Sequence, residues 1–486
     1  MQFRHIGCSL WVLLLLAGCA VGPDYKNPPP TTLQDSWMEA SSEHFKMQSD
    51  EQLRNWWVVF NDPLLNQLIE TADIHNLDIK TAIARVSQAR AQMAAYWGDV
   101  APQLGTQASV LWGDDRRNGL TFSSVAGTFL WEIDLFGRVR RQIESARASF
   151  EASQEDRIAV TISMYAEVAQ SYMTIRSLQS QIGALQQNIM AQKKTVDIVY
   201  TRFESGLATS LDVANADRLL ASLETQMPPL LSQLRQTENT LAVLLGGTPQ
   251  EWRKTFEPFG EIPLAPDSVM IDAPVNMLRQ RPDIRRAERT LAAEVAQIGV
   301  AKADLFPSFY INGTFNLGAV DGTTLFRTPI STYSYGPSLR WNIFQGGRTL
   351  NLIKAQDAKA MQAMYTYQKT VLTAMQEVES TMTAYIQSKN QLGSDERATR
   401  AAEKSYRLSV ELYESGLVDL QTVLDSQKEL YLALGQQTRS RGNVAITLVA
   451  LYRALGGGWD SQNPPAIPEK ITEQDVRDAL TLPTSK

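Results

Sequence analysis

Few side chains in this sequence are placed for covalent or catalytic chemistry, and the thiol of Cys19 is the most specific of them. The chain has two Cys and three His, and it contains no phosphate-binding loop, no metal-ligand cluster and no nucleophile elbow. The sequence therefore predicts no enzyme, no cofactor and no metal site. Cys8 lies within the first 18 residues, which read as a cleavable signal, so their removal would leave Cys19 without a disulfide partner.

The N-terminus predicts how this thiol is used. Arg4 precedes an apolar run over 10–16, and the order Leu16-Ala17-Gly18-Cys19 completes a secretion signal over 1–18. The ending resembles the lipobox of bacterial lipoproteins, which implies acylation of Cys19; the alternative is an ordinary signal peptide with a chance cysteine. Ala20 stands where an Asp commonly retains such lipoproteins at the inner membrane, so we expect the outer membrane. The run is shorter than the roughly 20 residues of a spanning helix and no such run follows it, so any membrane passage must use strands.

Composition and charge narrow the class of protein. The 486 residues are enough for two or three ordinary domains with a large core. Apolar residues make up 44% and charged residues 20%, which is typical of folded chains. The formal charge of -6 gives no electrostatic basis for binding nucleic acid, and we expect none.

The chain repeats itself at an offset of 210 residues, which composition alone does not produce. The repeated features are Trp131/Trp341, Gly137/Gly347, Gly183/Gly393, 204–207/414–417 and 245–247/455–457. Upstream the offset is 205, as in Pro102/Pro307, which predicts a longer hairpin loop around Asp321-Gly322 in the second copy. One structural unit is therefore used twice.

The repeat sets the predicted domains. They are a signal over 1–18, an anchored segment and equatorial region over 19–76, a first repeat over 77–247, a connector over 248–281, a second repeat over 282–457 and a tail over 458–486. Each repeat begins with a helix. The first continues with strands at about 103–113 and 123–134, a long helix over 138–205 and a helix over 209–246, and the second with strands at about 307–318 and 331–344, a long helix over 348–415 and a helix over 419–455.

The strands and helices together predict where the protein sits. Period-two alternation with aromatic residues fits both a membrane barrel and a half-buried soluble sheet. The two long helices decide between these, because about 68 residues without proline extend roughly 100 Å, with coiled-coil spacing of apolar side chains. Such helices must extend into the periplasm. Four strands cannot close a barrel, so several chains must pool their strands.

At this point the sequence resembles the outer membrane factor family, the TolC-like efflux proteins, and within it the lipoprotein branch. The residues that carry the resemblance are 19–25, Trp56-Trp57, Asp62-Pro63-Leu64, 131–138, Arg281-Pro282-Asp283-Ile284, 423–427 and 455–459. The resemblance implies a homotrimer with a 12-stranded barrel that continues into a 12-helix periplasmic tunnel. It also implies a periplasmic membrane-fusion adaptor and an inner-membrane pump as partners, besides outer-membrane lipid.

Two functions within that fold remain open. The lipobox favours passive efflux of drugs or other small molecules over protein secretion by a type I system. A periplasmic scaffold, which would need no barrel, is the alternative from another class.

The resemblance also implies site residues. The turns at Gly206, Leu207 and Ala208 and at Gly416, Leu417 and Val418 would form the tips that adaptors touch, although a glycine that ends a long helix is also an ordinary cap. Asp425 matches the acidic ring at the closed periplasmic end of the tunnel, with Gln421 and Thr422 beside it. The alternative for Asp425 is a solvated charge on a helix face.

Overall fold

The computed structural model of the chain describes residues 20–26, 28, 34, 36–47, 53–115, 118–266, 268–271, 274, 280–319, 325, 327 and 329–460. The predicted signal with Cys19, the hairpin loop around Asp321-Gly322 and most of the predicted tail lie outside the described residues. No helix in the described part of the chain combines the length and apolar character that crossing a bilayer requires.

The elements follow one another in the order that the repeat predicts. In the first half they are β1 (Phe45–Met47), a 3₁₀ helix (Trp56–Phe60), α1 (Pro63–His75), α2 (Leu77–Gly98), β2 (Gln103–Asp115), β3 (Asn118–Ile133), α3 (Arg138–Glu204), α4 (Ser210–Glu224), α5 (Met227–Leu244) and α6 (Pro249–Phe256). In the second half they are β4 (Val269–Ile271), α7 (Pro282–Ala303), β5 (Ser308–Ala319), β6 (Ile330–Arg340), α8 (Arg348–Glu414) and α9 (Leu420–Ala454).

Four strands, two from each repeat, form one antiparallel sheet in the order β2-β3-β5-β6. The contact between β3 and β5 joins the two repeats, with Trp131 opposite Ile311. Among the described residues β2 and β6 each have one neighbour, so both outer edges of the sheet are open in this part of the single chain. A separate parallel pair, β1 with β4, lies outside this sheet.

Two strand ends differ from the prediction. The last strand, predicted over 331–344, ends at Arg340 opposite Ser308. Pro307 precedes Ser308 and has no N–H to donate, so residues 341–344 find no ladder partner on β5. β3, predicted from 123, begins at Asn118 because its backbone ladder with β2 continues to Asp115, through a stretch where the sequence shows no clear alternation.

The two long helices are continuous, each over 67 residues. Each begins after a glycine in the left-handed region, Gly137 and Gly347, both with φ 81°. At the end of each strand pair next to this glycine, the repeat is visible in a matched hydrogen bond. The indole N–H of Trp131 donates to the Val100 carbonyl at 3.0 Å, and that of Trp341 donates to the Leu305 carbonyl at 3.1 Å.

The helix predicted over 209–246 is two helices, α4 and α5, separated at Thr225 and Gln226. Pro228 and Pro229 occupy the first turn of α5. They cannot donate to the carbonyls one turn earlier and their rings crowd those carbonyls, so the helix breaks there. The second repeat has no proline at this place, and α9 runs unbroken.

The main hydrophobic core surrounds the middle of the long helices, and we call it the central core. Its fully buried members include Trp56, Leu65, Tyr172, Ile271, Tyr385 and Leu448. Trp56 stacks on Tyr452 with ring centroids 5.4 Å apart, and the Gly458 N–H donates to the Leu53 carbonyl at 2.8 Å. The segment before α1, the connector between the repeats and the end of α9 therefore wrap the middle of α3 and α8.

Candidate functional site

The candidate site lies at the end of the helices far from the sheet, where each repeat turns back on itself. α3 and α8 both end at a glycine in the left-handed region, Gly206 with φ 72° and Gly416 with φ 73°. The N–H of Leu207 donates to the Arg202 carbonyl at 2.8 Å, and that of Leu417 to the Leu412 carbonyl at 2.9 Å. These bonds satisfy carbonyls that the helix end leaves open, so both glycines are helix caps by geometry.

Beyond the caps, each turn presents apolar side chains to solvent. Leu207 is 71% exposed and Leu417 is 72% exposed, while Ala208 and Val418 are partly buried. Exposed leucines at the same place in both repeats are a surface suited to contact with another protein.

Different residues start the helices that return from the two turns. The Thr209 hydroxyl accepts from the Asp212 N–H, and the Asp212 carboxylate accepts from the Thr209 N–H at 2.8 Å. In the second repeat Asp419 accepts from the N–H and the hydroxyl of Thr422, at 2.9 and 2.6 Å. These two hydrogen bonds, of which the one from the hydroxyl has the larger effect, hold the pKa of Asp419 below its usual value. Thr422, predicted as a gate residue, therefore has its hydroxyl engaged in the cap of α9.

The two turns are held together by a small apolar cluster. Its buried members are Val199, Ala216, Leu219, Leu420, Val423 and Leu424, which come from both repeats. Next to it the guanidinium of Arg202 lies 4.7 Å from the ring centroid of Tyr413. The cation and the ring attract each other, so the ends of α3 and α8 are linked by charge as well as by packing.

One turn into α9, a chain of amides links the repeats at the predicted gate. The Asn215 amide donates to Gln421 Oε1 at 3.3 Å, and the Gln421 amide donates to Asp425 Oδ1 at 2.9 Å. Asn215 is the repeat equivalent of Asp425, so one repeat supplies an acid at this level and the other supplies an amide. The Asp425 carboxylate is exposed and borders a cavity of about 450 Å³ between α4 and α9. The structure thus brings Gln421 and Asp425 together on one surface.

A second site surrounds the segment that follows Cys19, at the other end of α3. Arg141, whose side chain is only 5% exposed, donates to the carbonyls of Val21 and Gly22 at 3.2 and 3.3 Å. It also donates to Asp24 Oδ1 at 2.6 Å, and this hydrogen bond and charge hold the pKa of Asp24 below its usual value. A Cβ on Gly137 would lie 2.6 Å from the Cα of Ala20, so the residue after Cys19 is packed against the junction of β3 and α3.

Comparison with known proteins agrees with this architecture. The model of the family described as outer membrane efflux protein matches residues 68–247 and 273–457, and these ranges contain the two predicted repeats. The chain belongs to the outer membrane efflux protein family. This confirms the family and the location in the bacterial outer membrane that the sequence predicts, and the family is one of export channels rather than of enzymes.

The chain is similar to named relatives along most of its length. It is 30% identical to nodulation protein T of Rhizobium leguminosarum bv. viciae over 448 residues, 92% of each chain. It is also 30% identical over 478 residues to the pyoverdine export outer membrane protein OpmQ of Pseudomonas putida, covering 95% of this chain and 99% of that one. Among solved structures, the outer-membrane channel OprN matches with TM-score 0.83 and 31% identity, over 91% of this chain and 100% of that one. The predicted fold, mostly helical with a strand part and an internal duplication, is confirmed.

Sequence analysis did not find every residue that the structure places at these sites. Arg141 has no role in the sequence prediction, because its partners at 21–24 lie about 120 residues away and only folding brings them together. The segment 21–25 was part of the motif that suggests the family, and that motif was the available signal. The described residues contain no group of three or more His, Cys, Asp or Glu placed to hold a metal ion.

Proposed function

We propose that this protein is the outer-membrane duct of a tripartite efflux system, a homotrimer through which drugs or other small molecules leave passively. The observation that carries the proposal is the sheet with two open edges. Exposed backbone N–H and C=O groups in lipid cost several kcal/mol each, so β2 and β6 need partners. Three copies joined β6 to β2 close one barrel and remove every edge.

The exposed side chains of the edge strands support a position in lipid. Leu104 and Trp112 on β2 are 81% and 80% exposed, and Tyr333 and Tyr335 on β6 are 75% and 85% exposed. Aromatic and apolar residues exposed on strands of this kind suit a lipid-facing surface and its interfaces. The long helices then extend about 100 Å from the sheet into the periplasm.

We further propose that the acyl chains on Cys19 lie at the periplasmic face of the outer membrane. Ala20, the next residue, is packed beside Gly137, where the strands end and the long helix begins. Segment 20–25 also reaches the second repeat, since the Tyr25 hydroxyl donates to Glu288 at 3.2 Å. Acylation would therefore hold the protein at the level where its sheet enters lipid.

The gate of the duct, in this proposal, is the layer of Asp425, Gln421 and Thr422 near the tips. A three-fold axis would bring three Asp425 carboxylates near one another, where they repel and exclude anions at rest. The Asn215 and Gln421 amides stabilise the closed arrangement within each chain. Opening requires α9 to move relative to α4, which breaks the bond between Asn215 and Gln421, whereas the bond between Gln421 and Asp425 lies within α9.

The tips are the proposed contact for a periplasmic adaptor that links the duct to an inner-membrane pump. Leu207 and Leu417 are exposed apolar residues at matching places, and Gly206, Ala208, Gly416 and Val418 shape the two turns around them. Docking on both turns would act directly on the helices that carry the gate. Small-molecule cargo agrees with the relative named for pyoverdine export.

Photocrosslinking in intact cells tests the assignment. A photoactivatable thiol crosslinker on Leu417→Cys should capture a periplasmic adaptor, identified by mass spectrometry, since Cys19 would be blocked by acylation. Ile74→Cys, 64% exposed on α1, is the matched control and should not capture it. Reproducible crosslinks from Leu417→Cys without any adaptor would contradict the proposal, and an adaptor belonging to a protein-secretion pump would change the cargo to protein.

Extraction behaviour separates the duct from a periplasmic scaffold. The Cys19→Ser variant should still require detergent, because a closed sheet stays in lipid without acyl chains. A scaffold held only by its anchor would become soluble in this variant. A purified duct should also behave as a trimer in light scattering.

A further inference from the structure

The cavity beside Asp425 is lined by more cations than anions, and the proposed role of Asp425 as a gate does not account for them. It encloses about 450 Å³ between α4 and α9, with part of α3 as its floor. Its charged lining is Arg218, Lys428 and Arg439 against the single carboxylate of Asp425. The cavity therefore has an excess of positive charge.

Two of these cations are repeat equivalents. Arg218 and Lys428 are separated by the same 210 residues that relate Asn215 to Asp425. Both stand three residues, about one helical turn, beyond those positions and thus farther from the tips. The acid Asp425 has an amide, Asn215, as its repeat equivalent, whereas Arg218 and Lys428 place a cation in both repeats. A trimer would therefore carry six such cations.

These cations are not neutralised within the described part of the chain, where no ion pair engages Arg218 or Lys428. Asp425 accepts a hydrogen bond from Gln421, and the Arg439 Nε donates to the Gly435 carbonyl at 3.4 Å. Because Arg218 and Lys428 are exposed side chains that line the same cavity, both would attract an anion that enters it.

The apolar part of the lining, which alternates with the polar side chains of Gln181, Asn188, Ser222, Thr225 and Gln226, would suit a hydrophobic body. Leu185, Leu219, Leu223 and Leu424 contribute aliphatic surface, and Tyr431 contributes a ring. A concave apolar surface with a few convergent charged groups is the usual form of a small-molecule site.

We propose that this cavity binds organic anions that carry an apolar body, with Arg218 and Lys428 holding the anionic group. The leucines and Tyr431 cover the apolar part. That such an anion is cargo in transit, collected just inside the acidic layer, rests on the proposed duct function. The binding itself does not depend on it.

Calorimetry of naphthalene-2-sulfonate with the full-length protein, purified in a neutral detergent, tests the site. After subtraction of a micelle-only titration, we expect one site per chain. 1-Naphthylmethylammonium, with the same ring and opposite charge, should bind at least about tenfold more weakly, because the two cations attract the sulfonate and repel the ammonium.

Variants assign the binding to the two cations. Arg218→Gln/Lys428→Gln should weaken sulfonate binding by about tenfold or more. Arg218→Lys/Lys428→Arg keeps the charge and should retain binding, which separates charge from a folding defect. The matched control, Lys194→Gln/Arg400→Gln, removes two exposed cations outside the cavity and should bind as the wild type does.

Three results would overturn the inference: no binding by the wild type, equal binding of the sulfonate and the ammonium, or unchanged binding by Arg218→Gln/Lys428→Gln. Conductance of the wild type in planar bilayers tests the duct separately. Conductance without sulfonate binding rejects the anion site alone. Binding without conductance rejects the duct and leaves the site in place.

Discussion

The Asn215 amide lies 3.3 Å from Gln421 Oε1, although 206 residues separate them. This hydrogen bond connects α4 of the first repeat to α9 of the second. The same Gln421 side chain donates to Asp425. In the proposed duct, opening would separate these two helices, which side chains join at the proposed gate. Both partners are uncharged amides, so this hydrogen bond contributes only about 0.5–1.5 kcal/mol. A bond of that strength suits a contact that would break when the proposed gate opens.

Removal of the gate carboxylate should open the duct. Asp425→Ala eliminates both the charge near the proposed three-fold axis and the acceptor of the Gln421 amide. We expect larger single-channel conductance in planar bilayers and greater uptake of large antibiotics by cells. Asp217→Ala, which removes an exposed acid of α4 outside the cavity, is the control. If conductance through Asp425→Ala equals that of the wild type, Asp425 is not part of the gate.

The exposed leucines of the tips should matter for export and not for stability. Leu207→Asp and Leu417→Asp alter side chains that are more than 70% exposed, so the free energy of unfolding should change by no more than about 0.5 kcal/mol. Export measured by drug susceptibility should fall, because the charged side chains would disrupt an apolar adaptor contact. Leu264→Asp, 75% exposed in the connector, is the control. Full export by both tip variants would argue against the tips as the docking surface.

Arg141 should hold the anchor-proximal segment in place. Arg141→Gln loses the bonds to Val21, Gly22 and Asp24, and we expect a loss of about 1–3 kcal/mol together with faster proteolysis before residue 26. Arg147→Gln breaks only a surface pair with Glu151 and should cost less than about 1 kcal/mol. Equal protease resistance of the two variants would show that Arg141 does not secure the segment.

Gly22 should tolerate no side chain. Its φ is +102°, and an added Cβ would lie 2.5 Å from the Cα of Gly299 on α7. Gly22→Ala therefore combines backbone strain with a clash between main chains, and the midpoint of thermal unfolding should fall. Gly183→Ala, inside α3 with no atom within 4 Å of the added Cβ, should instead stabilise by about 0.5–1 kcal/mol. A Gly22→Ala variant as stable as the wild type would mean that the segment packs differently.

Stability should fall at alkaline pH through Tyr172. Burial, followed by the hydrogen bond to Asp62 at 2.6 Å, raises the pKa of this tyrosine from 10.0 to about 12. The folded state keeps a proton that the unfolded state releases, so this contribution is complete below pH 10 and is lost as the pH rises towards 12. Roughly 1–2 kcal/mol should disappear across this range.

Tyr172→Phe provides the check on that assignment. It should be less stable than the wild type near neutral pH, since it loses the bonds to Asp62 and Arg176. The gap in the free energy of unfolding, measured with denaturant, should narrow as the pH rises above 10. A gap that stays constant with pH would show that Tyr172 is not the group responsible.

Local patterns made much of the architecture predictable. The offset of 210 residues, the absence of proline in 138–205 and 348–415, and the glycines that end these stretches are all properties of neighbouring residues. Backbone preferences and side-chain periodicity act over a few residues, so they are legible in sequence. The break between α4 and α5 is local as well, because Pro228-Pro229 interrupts the helix predicted over 209–246.

The ends of the strands and the contacts at the candidate sites were harder to predict from the sequence. The last residue of β6 depends on Pro307, which has no N–H to pair with β6. The first residue of β3 depends on its hydrogen-bond ladder with β2. That the Thr422 hydroxyl caps α9 depends on the carboxylate of Asp419, whose position is set by the end of the turn. Such outcomes follow from pairing and cannot be read from one strand or one helix.

The sequence by itself determined the duplicated unit, the long helices, the candidate acylation at Cys19 and the family, because each is encoded in local pattern or motif. Only the tertiary structure decided which distant groups meet: Asn215 with Gln421, Arg141 with the segment after Cys19, and Arg218 with Lys428 around one cavity. The physical reason is that a hydrogen bond or an ion pair acts over a few ångströms. Residues separated by more than 100 positions reach that range only when the helices and the central core have packed.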